Sequence, residues 1–529
     1  MAEKNVFIRA PYLNLPVRPG APFAWVCWDR LDGCLLGEFY VELDFEAPDY
    51  YVVCDMTRFQ GETLVLRIDD ATEEELAGLA LSAEKNIWTR LSEPERPKIH
   101  FTPFRGIMGD PNGLYAVDGR YHAFYQLNPY GTQCGDWIEY CNFGWAPADS
   151  GDLCRWMEGP RVLLPDEYGP AFSGTAFVDT ENASGLGDGV HPPVLLYYTA
   201  AGGQSRRTRG GGATQRLMVS TDGGESFTPY AGNPVLPNFC RGNRDPKVFR
   251  HRESGRYILV LYSGEGHLYY VCSSQDLLHW ERLPDFLWED WECPDVLEVP
   301  VEGEGRTQLV FWSARGYWAP VDFDGVSFTR LAPARVFDEG NQIQCGQSFA
   351  NLPDRCVQMH RFNFGYPGAP WYGAYTLPYE LTLAVGTGNE YALKARPARE
   401  IDSLETLAAV YREMEAGETP VRIPLPAPCR IRVEAELETG GRLRLCFGGF
   451  RLELSEEAGR LSCEALSVDI GRSSRYRLDI VWDGPLLEAF EEISGRLLPA
   501  VSLEAGEAAL VVSGRKARMH TLTVSSLSL

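Results

Sequence analysis

Ser150-Gly151-Asp152-Leu153-Cys154-Arg155-Trp156 returns later in the chain as Ser274-Gln275-Asp276-Leu277-Leu278-His279-Trp280, and this echo decides the fold. Related turns stand at Thr221-Asp222-Gly223-Gly224-Glu225-Ser226-Phe227 and Asp324-Gly325-Val326-Ser327-Phe328. The turn aspartates at 152, 222, 276 and 324 are 70, 54 and 48 residues apart. A unit of roughly 40–50 residues or more, carrying one turn and one aromatic, is the spacing of propeller blades. Residues 98–397 at that spacing give about five blades. Four independent hairpins in a large sandwich are the competing reading.

Outward from this region, both flanks also read as β. Residues 5–95 hold short strand-like runs such as Ala24-Trp25-Val26-Cys27-Trp28 and Thr63-Leu64-Val65-Leu66-Arg67-Ile68. The polar stretch 71–83 is the candidate for a short helix, and Ser92-Glu93-Pro94-Glu95-Arg96-Pro97 reads as a linker. Val117-Asp118-Gly119-Arg120, between aromatic-rich runs, predicts a tight hairpin. In the tail, Arg430-Ile431-Arg432-Val433-Glu434-Ala435 and Arg477-Leu478-Asp479-Ile480-Val481 alternate with period two, as half-buried strands do. The expected organisation is all-β: an N-terminal β-sandwich-like domain over 1–97, a five-bladed β-propeller over 98–397, and a linker with a C-terminal β-sandwich over 398–529. Residues 403–416 are expected to form a connecting helix.

Composition narrows the ligand. In 529 residues, 73 acidic and 49 basic side chains leave a formal charge of −24. Phosphate backbones need a basic surface, so neither nucleic acid nor an anionic membrane is the expected partner. A neutral sugar is not repelled by such a field. The 12% aromatic content suits stacking on sugar rings as well as large β cores. The start shows no basic segment followed by an apolar one, and no long apolar run follows, so a cytoplasmic protein is expected. Fourteen cysteines without a C-x-x-C pair, and eight histidines without an H-x-x-x-H pattern, argue for free thiols and no zinc site.

Three acids sit beside prolines in Gly109-Asp110-Pro111-Asn112-Gly113, Asn243-Arg244-Asp245-Pro246 and Trp291-Glu292-Cys293-Pro294-Asp295. Proline pushes the preceding residue toward extended backbone, so these acids are expected at strand ends. The innermost strands of a propeller face one funnel, where acids from different blades can meet. Two carboxylates flanking a glycosidic bond suffice for hydrolysis without a cofactor. Crowding their charges raises the pKa of one partner, as an acid catalyst requires.

The motifs also resemble glycoside hydrolase family 32, the β-fructofuranosidases, invertases, inulinases and levanases. The resemblance runs through His100-Phe101-Thr102-Pro103, Asp110-Pro111-Asn112-Gly113, Gln126-Leu127-Asn128-Pro129, Phe172-Ser173-Gly174-Thr175, Arg244-Asp245-Pro246-Lys247-Val248 and Glu292-Cys293-Pro294-Asp295. The tail stretch 483–490, with Leu487-Glu488-Ala489-Phe490, resembles the signature of that family's C-terminal sandwich. The resemblance implies a retaining hydrolase that releases terminal β-fructofuranosyl units from fructans, fructo-oligosaccharides or sucrose. It gives Asp110 the role of nucleophile, Glu292 that of acid/base and Asp245 that of transition-state stabiliser. Gln126, Phe172, Ser173 and Arg244 fall where the family lines its fructose pocket.

Two departures leave the substrate open. The family usually writes Trp-Met-Asn-Asp-Pro-Asn-Gly where this chain has Ile107-Met108-Gly109-Asp110, losing an aromatic and an amide. The family's Trp-Gly-Asn stretch is rewritten between Cys134 and Trp145. Trp137 and Trp318 are taken as substrate-binding, and with Trp145 and Tyr317 they are candidates to rebuild an aromatic platform; core packing is the plainer reading of each. The run Ser205-Arg206-Arg207-Thr208-Arg209 reads as a solvated loop. A fructosyltransferase, a hydrolase of another furanoside and a non-catalytic carbohydrate-binding propeller are the alternatives. Oligomeric state is not legible.

Overall fold

The four echoed aspartates close the same connection in four successive blades. Asp152, Asp222, Asp276 and Asp324 each join a third blade strand to its short fourth strand. Each accepts backbone N–H groups just downstream: Asp276 Oδ1 from Leu278 at 3.0 Å and His279 at 2.9 Å, Asp324 Oδ1 from Val326 at 2.8 Å and Ser327 at 2.7 Å. A short acidic side chain that imitates a backbone turn is why aspartate recurs there. The computed structural model describes residues 1–79, 81–84, 93–132, 142–240, 242–388, 390–504 and 506–529.

Five blades, I to V, surround the funnel. Their innermost strands are β1 (Gly106–Val117), β2 (Ala171–Val178), β3 (Arg244–His251), β4 (Asp295–Pro300) and β5 (Ile343–Ser348). Neighbouring innermost strands pack side by side around the ring. Trp371–Tyr375 of the last blade pairs in parallel with the start of β1, which closes the ring. The predicted hairpin is present: Val117 pairs with Arg120, and Asp118 and Gly119 take φ of 50° and 75°. Positive φ at both central turn positions matches the twist of the flanking strands.

Part of the motif content joins blades. Lys247 Nζ meets Asp295 Oδ1 at 2.7 Å, both side chains buried, and the backbone N–H of Ser348 donates to Asp295 Oδ2 at 2.6 Å. These contacts tie β3, β4 and β5 together.

The flanking domains are β as expected. Two sheets of the N-terminal domain, of four and three strands, enclose their own apolar core. The stretch at 71–83 yields the helix Glu73–Gly78, capped by Thr72 and Glu75. In the tail, Cys429–Phe447 pairs with Arg475–Asp483 in its first half and with Phe450–Ser455 in its second, so one ten-stranded sheet folds over on itself. The helix expected over 403–416 is corrected. Arg399–Leu404 forms 3-10 turns, and Glu405–Ala416 is a strand paired with Ala509–Leu527. This strand is exposed along most of its length, so the alternation that reveals a half-buried strand is absent.

Propeller and sandwich are joined through His100 and the tail signature. Asp483 accepts backbone N–H groups from Lys98, Ile99 and His100 at 2.8, 2.7 and 2.9 Å, and His100 Nδ1 lies 3.0 Å from it. Glu488 Oε2 is 3.5 Å from His100 Nε2, with all three side chains buried. Burial pushes the His100 imidazole down, but Asp483 and Glu488 outweigh it and carry the group up to about 9. Burial likewise pushes Asp483 up, and its bonds to His100 and the backbone hold it below the usual carboxylate range. His100 therefore adds stability that is whole below about pH 6.5 and is lost as pH climbs through about 9. The Asp483 contribution is present above about pH 3.9 and is lost as pH falls through its lowered value. His100→Ala is expected to cost roughly 3–5 kcal/mol inside this window, because it strands buried carboxylates. Urea unfolding of parent and variant at mildly acidic and alkaline pH checks this; a gap that does not shrink at alkaline pH sinks the assignment.

Candidate active site

Asp110 leaves the regular ladder at a bulge in β1 between Met108 and Pro111. Its Oδ2 accepts from Ser173 Oγ at 2.7 Å, and its Oδ1 lies 2.9 Å from Arg361 Nη1. Ser173 Oγ in turn accepts from Gln126 Nε2 at 3.1 Å. A hydroxyl from β2 and a guanidinium from blade V thus fix both carboxylate oxygens. The missing family amide at Gly109 has a steric counterpart. A Cβ there would stand 2.5 Å from Gln126 Oε1, and that same oxygen accepts the Asp110 N–H at 3.3 Å. The Gln126 carboxamide occupies the space a side chain at 109 would need.

The extended backbone expected at the other two acids is corrected. Asp245, Glu292 and Cys293 have φ of 63°, 55° and 40°. Such left-handed residues cost about 1–3 kcal/mol each and gather at functional sites. Asp245 sits in a bulge of β3 between Arg244 and Lys247. Its N–H donates to Thr199 Oγ1 at 2.9 Å, and its Oδ2 accepts the Cys293 N–H at 3.2 Å. These bonds hold the turned backbone. Burial pushes the Asp245 carboxyl up, the Arg244 guanidinium pulls it back, and the charges of Glu292 and Asp110 push it up again, to about 7. Arg244 also pairs with Glu292 and lies over the Tyr262 ring at 4.8 Å.

Seven of the nine residues chosen from the sequence line one cavity of about 590 Å³: Asp110, Gln126, Phe172, Ser173, Arg244, Asp245 and Glu292. Trp137 lies outside the described residues. Trp318 is not in the cavity lining; it is 2% exposed and packs in the apolar core with Trp312. Trp145 is core as well, its Nε1 donating to the Phe172 carbonyl at 3.0 Å. Trp291 lines the cavity instead, with Arg315 stacked on it at 3.9 Å and held by the buried Asp290 at 2.8 Å.

Sequence reasoning missed Arg361, Thr199 and Arg315. Each occupies a strand or turn with no distinguishing neighbours, and only the closed ring brings them inward. Three carboxylates face Arg361 and Arg244, so charge in the cavity is largely compensated, which suits a neutral ligand. The arrangement supplies a clamped carboxylate and two further acids around the same cavity.

The arginine run differs from the solvated loop expected. Arg206 lies over Trp25 of the N-terminal domain at 4.2 Å, and the Arg207 N–H donates to Glu38 Oε1 at 2.5 Å. Trp25 Nε1 donates to the other Glu38 oxygen at 2.8 Å. Gln204, at the head of this loop, lines the cavity. The buried Asn142 side chain exchanges hydrogen bonds with the Tyr40 backbone at 3.0 and 2.8 Å, and Glu42 accepts the Thr132 N–H at 2.7 Å.

Residues 100–397 match the family described as the glycosyl hydrolases family 32 N-terminal domain. The chain is 30% identical to a levanase of Bacillus subtilis over 371 residues, 64% of this chain and 52% of that protein. It is also 30% identical to an extracellular exo-inulinase of Aspergillus niger over 369 residues, 60% of this chain and 67% of that one. The matched region thus spans about half the length of the levanase. Among solved structures, the exo-inulinase from Aspergillus awamori superposes with a TM-score of 0.74 at 22% identity, covering 83% of this chain and 99% of that one. Fructan 1-exohydrolase IIa from Cichorium intybus gives 0.65 at 17% identity, covering 83% and 98%. Both structures share the fold.

Proposed function

Because this chain belongs to glycosyl hydrolase family 32, we propose that it is an exo-acting, retaining β-fructosidase that releases terminal β-fructofuranosyl units from fructans, fructo-oligosaccharides or sucrose. The observation that carries the reading is the meeting of Asp110, Asp245 and Glu292, from three different parts of the ring, in one cavity. The similarity to a levanase and an exo-inulinase supports a fructoside as substrate.

In this reading Asp110 attacks the anomeric carbon while Glu292 gives its proton to the departing glycosidic oxygen. Ser173 and Arg361 keep the Asp110 carboxylate aimed. Water then enters where the leaving group stood, Glu292 takes its proton, and the oxygen displaces Asp110 from the opposite face, so two inversions retain configuration. Asp245, held by Thr199 and the Cys293 N–H, binds fructosyl hydroxyls. As positive charge grows on the sugar ring its carboxylate form is favoured, which makes this interaction stronger in the transition state than before it.

Sucrose, inulin-type and levan-type oligosaccharides, followed by chromatography and by NMR of the first product formed, test this. Single β-fructofuranose units are expected from the chain end. Initial release of the α-anomer, or of oligosaccharides, overturns retention or exo action respectively. Products longer than a sucrose donor would identify a transferase.

A further inference from the structure

Below the catalytic acids lies a second arrangement with different chemistry. Cys293, on the turn after Glu292, and Cys345, on β5, meet Asp110 from β1. One donor atom from each lies within 4.8 Å of the others. Cys293 Sγ is 3.5 Å from Asp110 Oδ2, and Asp245 Oδ2 stands 3.8 Å beyond the same sulfur. The thiols are only 4% and 5% exposed, yet Cys345 borders the open cavity. With Ala314 they form an isolated apolar cluster, so no other described apolar core packs on them.

We propose that Cys293 Sγ, Cys345 Sγ and Asp110 Oδ2 form a binding site for one soft divalent cation of the zinc class, and that its occupation switches the cavity off. A tetrahedral ion with sulfur at about 2.3 Å and oxygen at about 2.0 Å sets those two donors roughly 3.5 Å apart, the separation already present between Cys293 and Asp110. Two sulfurs on one zinc stand about 3.8 Å apart, within reach of small side-chain rotations. Thiolate donors select against magnesium and calcium, which prefer oxygen.

The exchange balances. Two S–H bonds break, two protons leave to solvent, and two metal–sulfur bonds and one metal–oxygen bond form; no electron moves. A water from the cavity takes the fourth position. One divalent ion replaces two protons, so the charge of the cavity is unchanged and no new buried charge has to be compensated.

Inhibition rests on reading Asp110 as the nucleophile; cation binding does not. The probe is cadmium added to the full chain, followed by its thiolate charge-transfer absorbance and by turnover in the same samples. One equivalent per chain is expected to bring up the band while turnover falls in parallel, with a chelator abolishing the band and restoring turnover. Cys345→Ala, judged against its own cadmium-free turnover, is expected to show an apparent cadmium affinity lower by roughly 100-fold. Asp110→Asn, followed by absorbance alone, is expected to keep the band with weakened affinity. An unchanged titration in Cys345→Ala places cadmium on other thiols, such as the exposed Cys34, and overturns the site. A full band with undiminished turnover overturns the switch. A stoichiometric band in a protein that hydrolyses no fructoside upholds the site and overturns the functional reading instead.

Discussion

Asp110→Asn is expected to lower turnover by roughly 10⁴–10⁶-fold, the loss that follows removal of a covalent nucleophile. The substitution keeps the volume, and the one amide oxygen can still accept from Ser173 while the NH2 group faces Arg361 in place of the second carboxylate oxygen. It removes the charge paired with Arg361. Stability should therefore change little, and sugar binding measured by calorimetry should stay within about tenfold of the parent. No fructosyl-enzyme should be trapped when the variant is quenched during turnover and examined by mass spectrometry. Turnover within about tenfold of the parent would remove Asp110 from the nucleophile's role.

Glu292→Gln should separate the two halves of the reaction. A poor leaving group needs its oxygen protonated, so hydrolysis of sucrose or fructans is expected to fall by about 10²–10⁴-fold. An aryl fructofuranoside leaves without that proton, so formation of the ester on Asp110 should survive and its breakdown become limiting. Azide, which needs no general base, should then restore turnover and yield a β-configured fructosyl azide. An equal loss on both substrates, with no rescue, would mean that Glu292 positions the sugar and transfers no proton. Arg244 pairs with this carboxylate, and the variant also tests whether that pair matters for binding.

The acids were legible because each occupies a motif whose other members are constrained for a separate reason. Asp295 and Lys247 bind β3, β4 and β5 to one another, and His100 with Asp483 joins two domains, so chemistry and architecture lie within a few residues of each other. The blade turns were legible because a turn of that shape needs an aspartate. Trp318 was not placed correctly, since an indole packs equally well in a core or under a sugar and only its neighbours decide. Arg361 carries no local sign of its place: an arginine in a strand reads as solvent-facing until the ring closes. The strand Glu405–Ala416 has too few buried positions to reveal a period. The left-handed backbone at Asp245 and Glu292 depends on bonds to Thr199 and Cys293 that no local pattern predicts.

The grip of Glu38 and Trp25 on the loop headed by Gln204 gives this protein two different boundaries. By chain folding, the propeller and the N-terminal sandwich are separate modules, each with its own core. By the wall of the cavity they are one, because a propeller transplanted without its first 97 residues would arrive with the Arg206 loop undocked and without the Tyr40 backbone bonds of Asn142. Evolution can therefore edit the mouth of this cavity from a module that contributes none of its acids. Grafting and truncation should treat the sandwich and the ring as a single inheritable unit.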